Sequence, residues 1–194
     1  MMSAKMIEVR WHGRGGQGAK TAALLFAETV MATGKYIQAF PEYGPERMGA
    51  PVQSFNRISE EPITIHSGIT NPNYVVILDP SLMESVPVAD GIGQDGKIIV
   101  NTSFSAKEIA AQLGINESQV YVVNASQIAQ ETIGRNIPNT PMLGALVKVI
   151  GILDINKVLE DTKGKLTAKF RHKPEVIDGN IASIKRAYDE VKNQ

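Results

Sequence analysis

Ile7-Glu8-Val9-Arg10-Trp11-His12-Gly13-Arg14-Gly15-Gly16-Gln17-Gly18 sets the architecture of the chain. Ile7 to Trp11 has the composition of a strand, and Gly13 to Gly18 satisfies the spacing G-x-G-x-x-G. Beyond it, Ala19 to Thr33 holds neither glycine nor proline and is rich in helix formers, among them Ala22, Ala23, Leu24, Leu25 and Ala27. The apolar residues of that stretch cover more than one stripe. This predicts a largely buried helix lying on a sheet, with Gly34 as its stop signal. In a strand–turn–helix of this kind the glycines let the backbone turn tightly and approach an anion. The helix start then supplies unpaired N–H groups.

Outward from this unit, strand-like and helix-like segments alternate. Strands are predicted at Tyr36 to Phe40 and Val52 to Ile58, the latter with a short partner around Ile63 to His66. Between the first two lies Pro41-Glu42-Tyr43-Gly44-Pro45-Glu46-Arg47-Met48-Gly49-Ala50-Pro51, too rich in Pro and Gly for a regular element. Short apolar runs recur at Val75 to Leu78, Lys97 to Val100 and Val120 to Val123. Such strands are expected where helices cover both faces of a sheet. Helices are predicted at Ser105 to Leu113, with Ser105 and Glu108 placed as a capping box, at Ser126 to Ile133 and at Met142 to Leu153. Two more follow at Ile155 to Thr162 and Pro174 to Lys192. The expectation is one three-layer α/β/α domain over residues 1–194, with a mainly parallel sheet and a helical C-terminal tail.

Composition narrows the function. In 194 residues, 20 Lys and Arg balance 20 Asp and Glu, so no broad nucleic-acid-tracking surface is expected, although a local basic pocket is compatible. Cysteine is absent, which excludes disulfides, thiolate metal sites, cysteine nucleophiles and cysteine-ligated iron–sulfur clusters borne by this chain. No apolar run approaches the ~20 residues that span a bilayer. Met1 to Lys5 leads straight into the first strand, so the expected location is cytoplasmic.

The glycine motif alone supports three readings. A dinucleotide fold would place an acidic residue, here Glu42, at the end of the second strand to hold a ribose. A P-loop would need Lys and Thr directly after the last glycine, and Ala19 intervenes before Lys20-Thr21. The third is a purely structural turn for close helix–strand packing.

Gly13 to Gly18 followed by Pro41 to Val52 resembles the gamma subunits of pyruvate:ferredoxin oxidoreductases, within the wider 2-oxoacid:ferredoxin oxidoreductase family. The resemblance runs through the Val75 to Asp79 strand, Asn101-Thr102 and Asn139-Thr140-Pro141-Met142-Leu143-Gly144-Ala145. Subunits of the 2-oxoglutarate type tend to carry an arginine and two glycines in the second loop. Arg47-Met48-Gly49-Ala50-Pro51 is instead similar to the pyruvate and branched-chain types.

The resemblance implies a complex that converts a 2-oxoacid, coenzyme A and oxidised ferredoxin to acyl-CoA, carbon dioxide and reduced ferredoxin. It further implies thiamine diphosphate, magnesium and 4Fe-4S clusters on partner subunits, since this chain has no glycine–aspartate–glycine motif followed by paired asparagines. Alpha, beta and delta subunits and ferredoxin are the partners implied; nucleic acid and membrane are not.

For this chain the expected share is assembly and a wall of the coenzyme A site. Candidate contacts are Gly13, Arg14, Gly15, Gly16, Gln17, Gly18, Lys20 and Arg47, and no catalytic or metal-binding residue is expected. Beside that reading stand a purely structural subunit, in which Tyr43 and Arg47 are interface anchors, and a freestanding NAD-dependent dehydrogenase. Glu42 and Glu46 are read as partners of nearby cations. His12, His66 and His172 show no metal-ligand spacing and are read as structural or exposed. Lys163 to Lys173, six basic residues counting His172, is read as a solvated or subunit-contacting segment.

Overall fold

The structure is a computed structural model that describes residues 6–42, 48–170 and 173–193. Its sheet is built from β1 (Ile7–Arg14), β2 (Tyr36–Pro41), β3 (Pro51–Ser59), β4 (Tyr74–Ile77), β5 (Lys97–Asn101) and β6 (Val120–Val123). The helices are α1 (Ala19–Met31), α2 (Ala106–Leu113), α3 (Ala125–Ile133), α4 (Asn139–Ile150), α5 (Ile155–Lys169) and α6 (Pro174–Glu190). The six strands lie in the order β2-β3-β1-β4-β5-β6. β1, β4, β5 and β6 run parallel, while β3 pairs antiparallel with both β1 and β2.

Alternation along the strands divides the core in two. Val9, Trp11, Val76, Leu78, Ile99 and Val123 face one side, against Phe26 of α1, Ile128 of α3, Met142 and Leu146 of α4, Val158 of α5 and Ile184 of α6. Val75, Ile77, Ile98, Val100, Val120 and Val122 face the other, under Leu82, Val88 and Ile109 of α2. The three layers are therefore unequal, with α2 and the short helical turn at Pro80–Glu84 over the second face. Trp11 is fully buried, and its Nε1 donates to Asn56 Oδ1 at 2.8 Å. Asn56 Nδ2 in turn donates to Ala23 O at 2.9 Å, which fixes β1, β3 and α1 together.

Several local expectations change. β1 runs on through Gly13 and Arg14, because those residues continue its ladder opposite Val52 and Pro51. Ile63 to His66 forms no strand: β3 already has β1 on one edge and β2 on the other, so no edge is free for it. The segment is instead held by side chains, with Arg57 Nη2 donating to Ser67 O at 2.6 Å and Gln38 Nε2 reaching Ile63 O at 3.5 Å. α1 is less enclosed than its composition suggests, with Leu24 and Met31 exposed.

α4 starts at Asn139, a turn earlier than expected, and stops before Gly151, whose φ of 68° places it in the left-handed region. α5 carries on past Thr162 through much of the basic stretch, and Lys165 pairs with Glu28 of α1 at 3.4 Å. The capping box at Ser105 and Glu108 forms as read. No helix among the described residues is long and apolar enough to cross a membrane.

Candidate functional site

The turn after β1 is built by reciprocal bracing. Gln17 Oε1 accepts the Arg14 N–H at 2.7 Å, and Gln17 Nε2 donates to Asp79 Oδ2 at 2.7 Å. Asp79 closes the strand β4 and caps the short helical turn that follows, its Oδ1 accepting from Ser81 N at 3.0 Å and Ser81 Oγ at 2.6 Å. Arg14 Nε lies 3.2 Å from Asp79 Oδ2. Burial alone would raise the Asp79 carboxyl, but the bonds from Ser81 and Gln17 and the Arg14 charge outweigh it and hold it below the usual carboxylate range. The two glycine-bearing segments meet here. Gly15 N donates to Ala50 O at 2.9 Å, Gly49 N donates to Gly15 O at 3.1 Å, and Arg14 Nη1 donates to Gly49 O at 3.1 Å.

The result is a set of backbone donors with no acceptor among the described residues. Gly18 is the cap of α1 with φ 82° and provides no side chain for its first turn. The N–H groups of Gly16, Gly18, Ala19, Lys20 and Thr21 have no hydrogen-bond partner among the described residues. All five of these residues line one cleft of about 610 Å³. No acidic residue stands in the first turn of α1, so the helix carries no carboxylate of its own against the positive end of its dipole. Lys20 is exposed there and has no ion-pair partner among the described residues. Donors, dipole and ammonium are together of the chemical kind that suits an anion.

The predicted contacts separate into three groups. Gly15, Gly16, Gly18, Lys20 and Arg14 line the cleft. Gly13 and Gln17 do not. Gly13 sits where a Cβ would press on Ala19 Cβ at 3.2 Å, and Gln17 is spent on Arg14 and Asp79. Arg14 is largely spent as well, with Ser81, Asp79 and Gly49 holding its guanidinium. Arg47, with Tyr43 and Glu46, lies outside the described residues. Glu42 lines the cleft. It is not placed as a dinucleotide fold requires, because β3 separates its strand from β1 instead of leaving the two parallel and adjacent.

One residue passed over in the sequence belongs to the site. His12, read as structural or exposed, is 2 % exposed and lies in the cleft wall with Gln53, Ser54 and Glu42. The signal was the period of two in β1. Val9 and Trp11 take the apolar face, so Arg10 and His12 share the opposite one.

Fold and site together define an α/β protein whose strand ends and helix start line a cleft rich in backbone donors. The family model described as pyruvate ferredoxin/flavodoxin oxidoreductase matches residues 8–190, and the chain belongs to that family. It is 44% identical over 191 residues to pyruvate synthase subunit PorC of Thermotoga maritima, covering 98% of this chain and 97% of the relative. It is 47% identical over 187 residues to the pyruvate/ketoisovalerate oxidoreductases common subunit gamma of Pyrococcus abyssi, covering 96% and 98%. The crystal structure of the Thermotoga maritima pyruvate oxidoreductase subunit superposes with a TM-score of 0.83 at 43% identity, over 97% of this chain and 98% of that one.

Proposed function

We propose that this chain is the gamma subunit of a pyruvate:ferredoxin oxidoreductase and that its cleft holds the phosphate end of coenzyme A. The observation that carries the second part is the set of N–H groups of Gly16, Gly18, Ala19, Lys20 and Thr21, without a partner among the described residues, on residues that line the cleft. The chain's share is binding and orientation: it holds the thiol carrier by its phosphates while the reacting carbon lies elsewhere. With no cysteine of its own, it leaves iron–sulfur ligation to partners. Thiamine diphosphate and magnesium belong, on this reading, to partner alpha and beta chains, and the 4Fe-4S clusters that feed ferredoxin to partners including delta.

A branched-chain 2-oxoacid is the second reading. It is favoured by the Pyrococcus abyssi relative, whose name makes it common to pyruvate and ketoisovalerate oxidoreductases. A gamma chain shared in that way supports a reading in which partner subunits choose the oxoacid.

The test is Lys20→Ala in the reconstituted complex, assayed with pyruvate saturating, a dye as electron acceptor and coenzyme A varied. Losing one exposed phosphate partner should raise the KM for coenzyme A about three- to tenfold with kcat nearly unchanged. An unchanged KM would remove coenzyme A from this cleft.

A further inference from the structure

In the wall of the same cleft, one donor of a buried ring, His12 Nδ1–H, is used by neither the fold nor the α1 amides. His12 Nε2 accepts from Arg10 Nε at 3.0 Å. Arg10 has no freedom to turn away, because its Nη2 donates to Val88 O at 3.0 Å and Asp90 O at 2.6 Å. With Nε2 committed as an acceptor, the neutral imidazole carries its proton on Nδ1. Nδ1–H has no partner among the described residues, although the ring as a whole is only 2 % exposed. Nδ1 is also not among the solvent-sealed polar atoms that lack a partner, so it reaches the open space that the ring lines.

The charged groups around the ring settle what Nδ1–H can serve. Burial first, and Arg10's charge second, push His12 down to about 3, so the ring stays neutral across the physiological range. Glu42 lines the same cleft, its N–H donates to Gln53 O, the residue paired with His12 across the ladder, and it acts electrostatically on Arg10. A second phosphate would meet that carboxylate, whereas a neutral carbonyl oxygen would not. Gln53 and Ser54 line the cleft with it, adding polar groups of the amide and hydroxyl kind.

We propose that His12 Nδ1–H donates to an uncharged carbonyl oxygen, an amide of the pantetheine arm, in a ligand whose phosphate rests on the amides of α1. This rests on the coenzyme A reading above. The cleft thereby has two chemically distinct ends, one for an anion and one for an amide. Binding to both would fix the direction in which the thiol arm leaves the chain. His12 is a binding residue in this scheme and takes no part in proton transfer.

Two substitutions split the two jobs of the ring. His12→Gln keeps an oxygen where Nε2 accepts from Arg10 and loses the Nδ1 donor. His12→Asn keeps an N–H near Nδ1 and loses the acceptor. In the reconstituted complex, His12→Gln should raise the KM for coenzyme A about three- to tenfold at nearly constant kcat. His12→Asn should stay within about twofold of the wild type while melting lower.

Equal KM changes in both variants that track their melting temperatures would make His12 a structural residue and overturn the proposal. A KM that moves with Lys20→Ala but not with His12→Gln would leave the phosphate site standing and overturn the amide contact. A KM moved by neither would overturn both readings. If His12→Gln fails to assemble, the unmodified complex can be tested with coenzyme A analogues. In each, one pantetheine amide carbonyl is replaced by a methylene. One analogue should show the rise and the other should not, and equal behaviour of both with coenzyme A itself would overturn the contact.

Discussion

The Gln17 side-chain amide donates to Asp79 Oδ2 at 2.7 Å while its oxygen accepts the Arg14 N–H. The turn after β1 is thereby tied to the end of β4, two strands that are neighbours in the parallel part of the sheet. Gln17→Ala removes both bonds and leaves polar partners half-buried. A loss of about 1–3 kcal/mol is expected, read as a fall in melting temperature of about 2–4 °C per kcal/mol for a chain of this size. Gln17→Glu should cost more, because it sets a second carboxylate against Asp79. A Gln17→Glu variant at least as stable as Gln17→Ala would contradict the bracing role.

At Gly144 the backbone of α4 comes close against that of α6. A Cβ there would come within 2.1 Å of Ile184 O, a backbone atom with no rotamer to yield. Gly144→Ala should destabilise the chain by about 2–4 kcal/mol despite alanine's better helix propensity. Gly164, in α5 with open space around its Cβ position, is the control. Gly164→Ala should be neutral or stabilising by up to about 1 kcal/mol. Urea unfolding of both variants checks the contrast.

His12 makes stability depend on pH in a defined window. Its folded-state value of about 3 lies below the ordinary 6.5, so on acidification the unfolded chain takes up a proton that the folded chain refuses. The contribution is fully present above about pH 6.5 and is lost progressively as pH falls toward about 3. Wild type should therefore lose stability faster than His12→Gln between about pH 6 and 4, by about 1 kcal/mol per pH unit. Parallel curves for the two proteins would show that the ring is not held neutral.

Much of the architecture was legible because the determinants were local. Val75 to Leu78, Lys97 to Val100 and Val120 to Val123 are short apolar runs and became the parallel strands β4, β5 and β6, the last at the end of the sheet. The capping box of α2 needed only Ser105 and Glu108. Pairing partners were not local. That β3 inserts between β1 and β2, depriving Ile63 to His66 of an edge, depends on the whole sheet. In the same way, α5 extends through basic residues because it packs on α6 and reaches Glu28 of α1.

At the site, the glycines announced free N–H groups, but the division of labour among the side chains was hidden. Arg14 looked like a phosphate ligand in sequence, while in the fold its donors face Ser81, Asp79 and Gly49. His12 looked idle because its partner Arg10 lies two residues away on the same strand face.

If partner subunits choose the oxoacid, changes in this cleft should not redistribute substrate preference. Lys20→Ala should shift the KM for coenzyme A equally with pyruvate and with a branched-chain 2-oxoacid. The ratio of kcat/KM between the two acids should stay within about twofold, well inside the 1.4 kcal/mol that a tenfold change represents. A selective loss of one acid would place part of the oxoacid pocket on this chain.

The free amides of the glycine turn can be observed directly. Hydrogen exchange in the assembled complex should show Gly16, Gly18, Ala19, Lys20 and Thr21 exchanging fast, since none has a hydrogen-bond partner among the described residues. Saturating coenzyme A should slow these amides selectively, against little change in the interior of α1. Unaltered exchange there at a concentration that supports full turnover would contradict the claim that this helix start holds the coenzyme's phosphate.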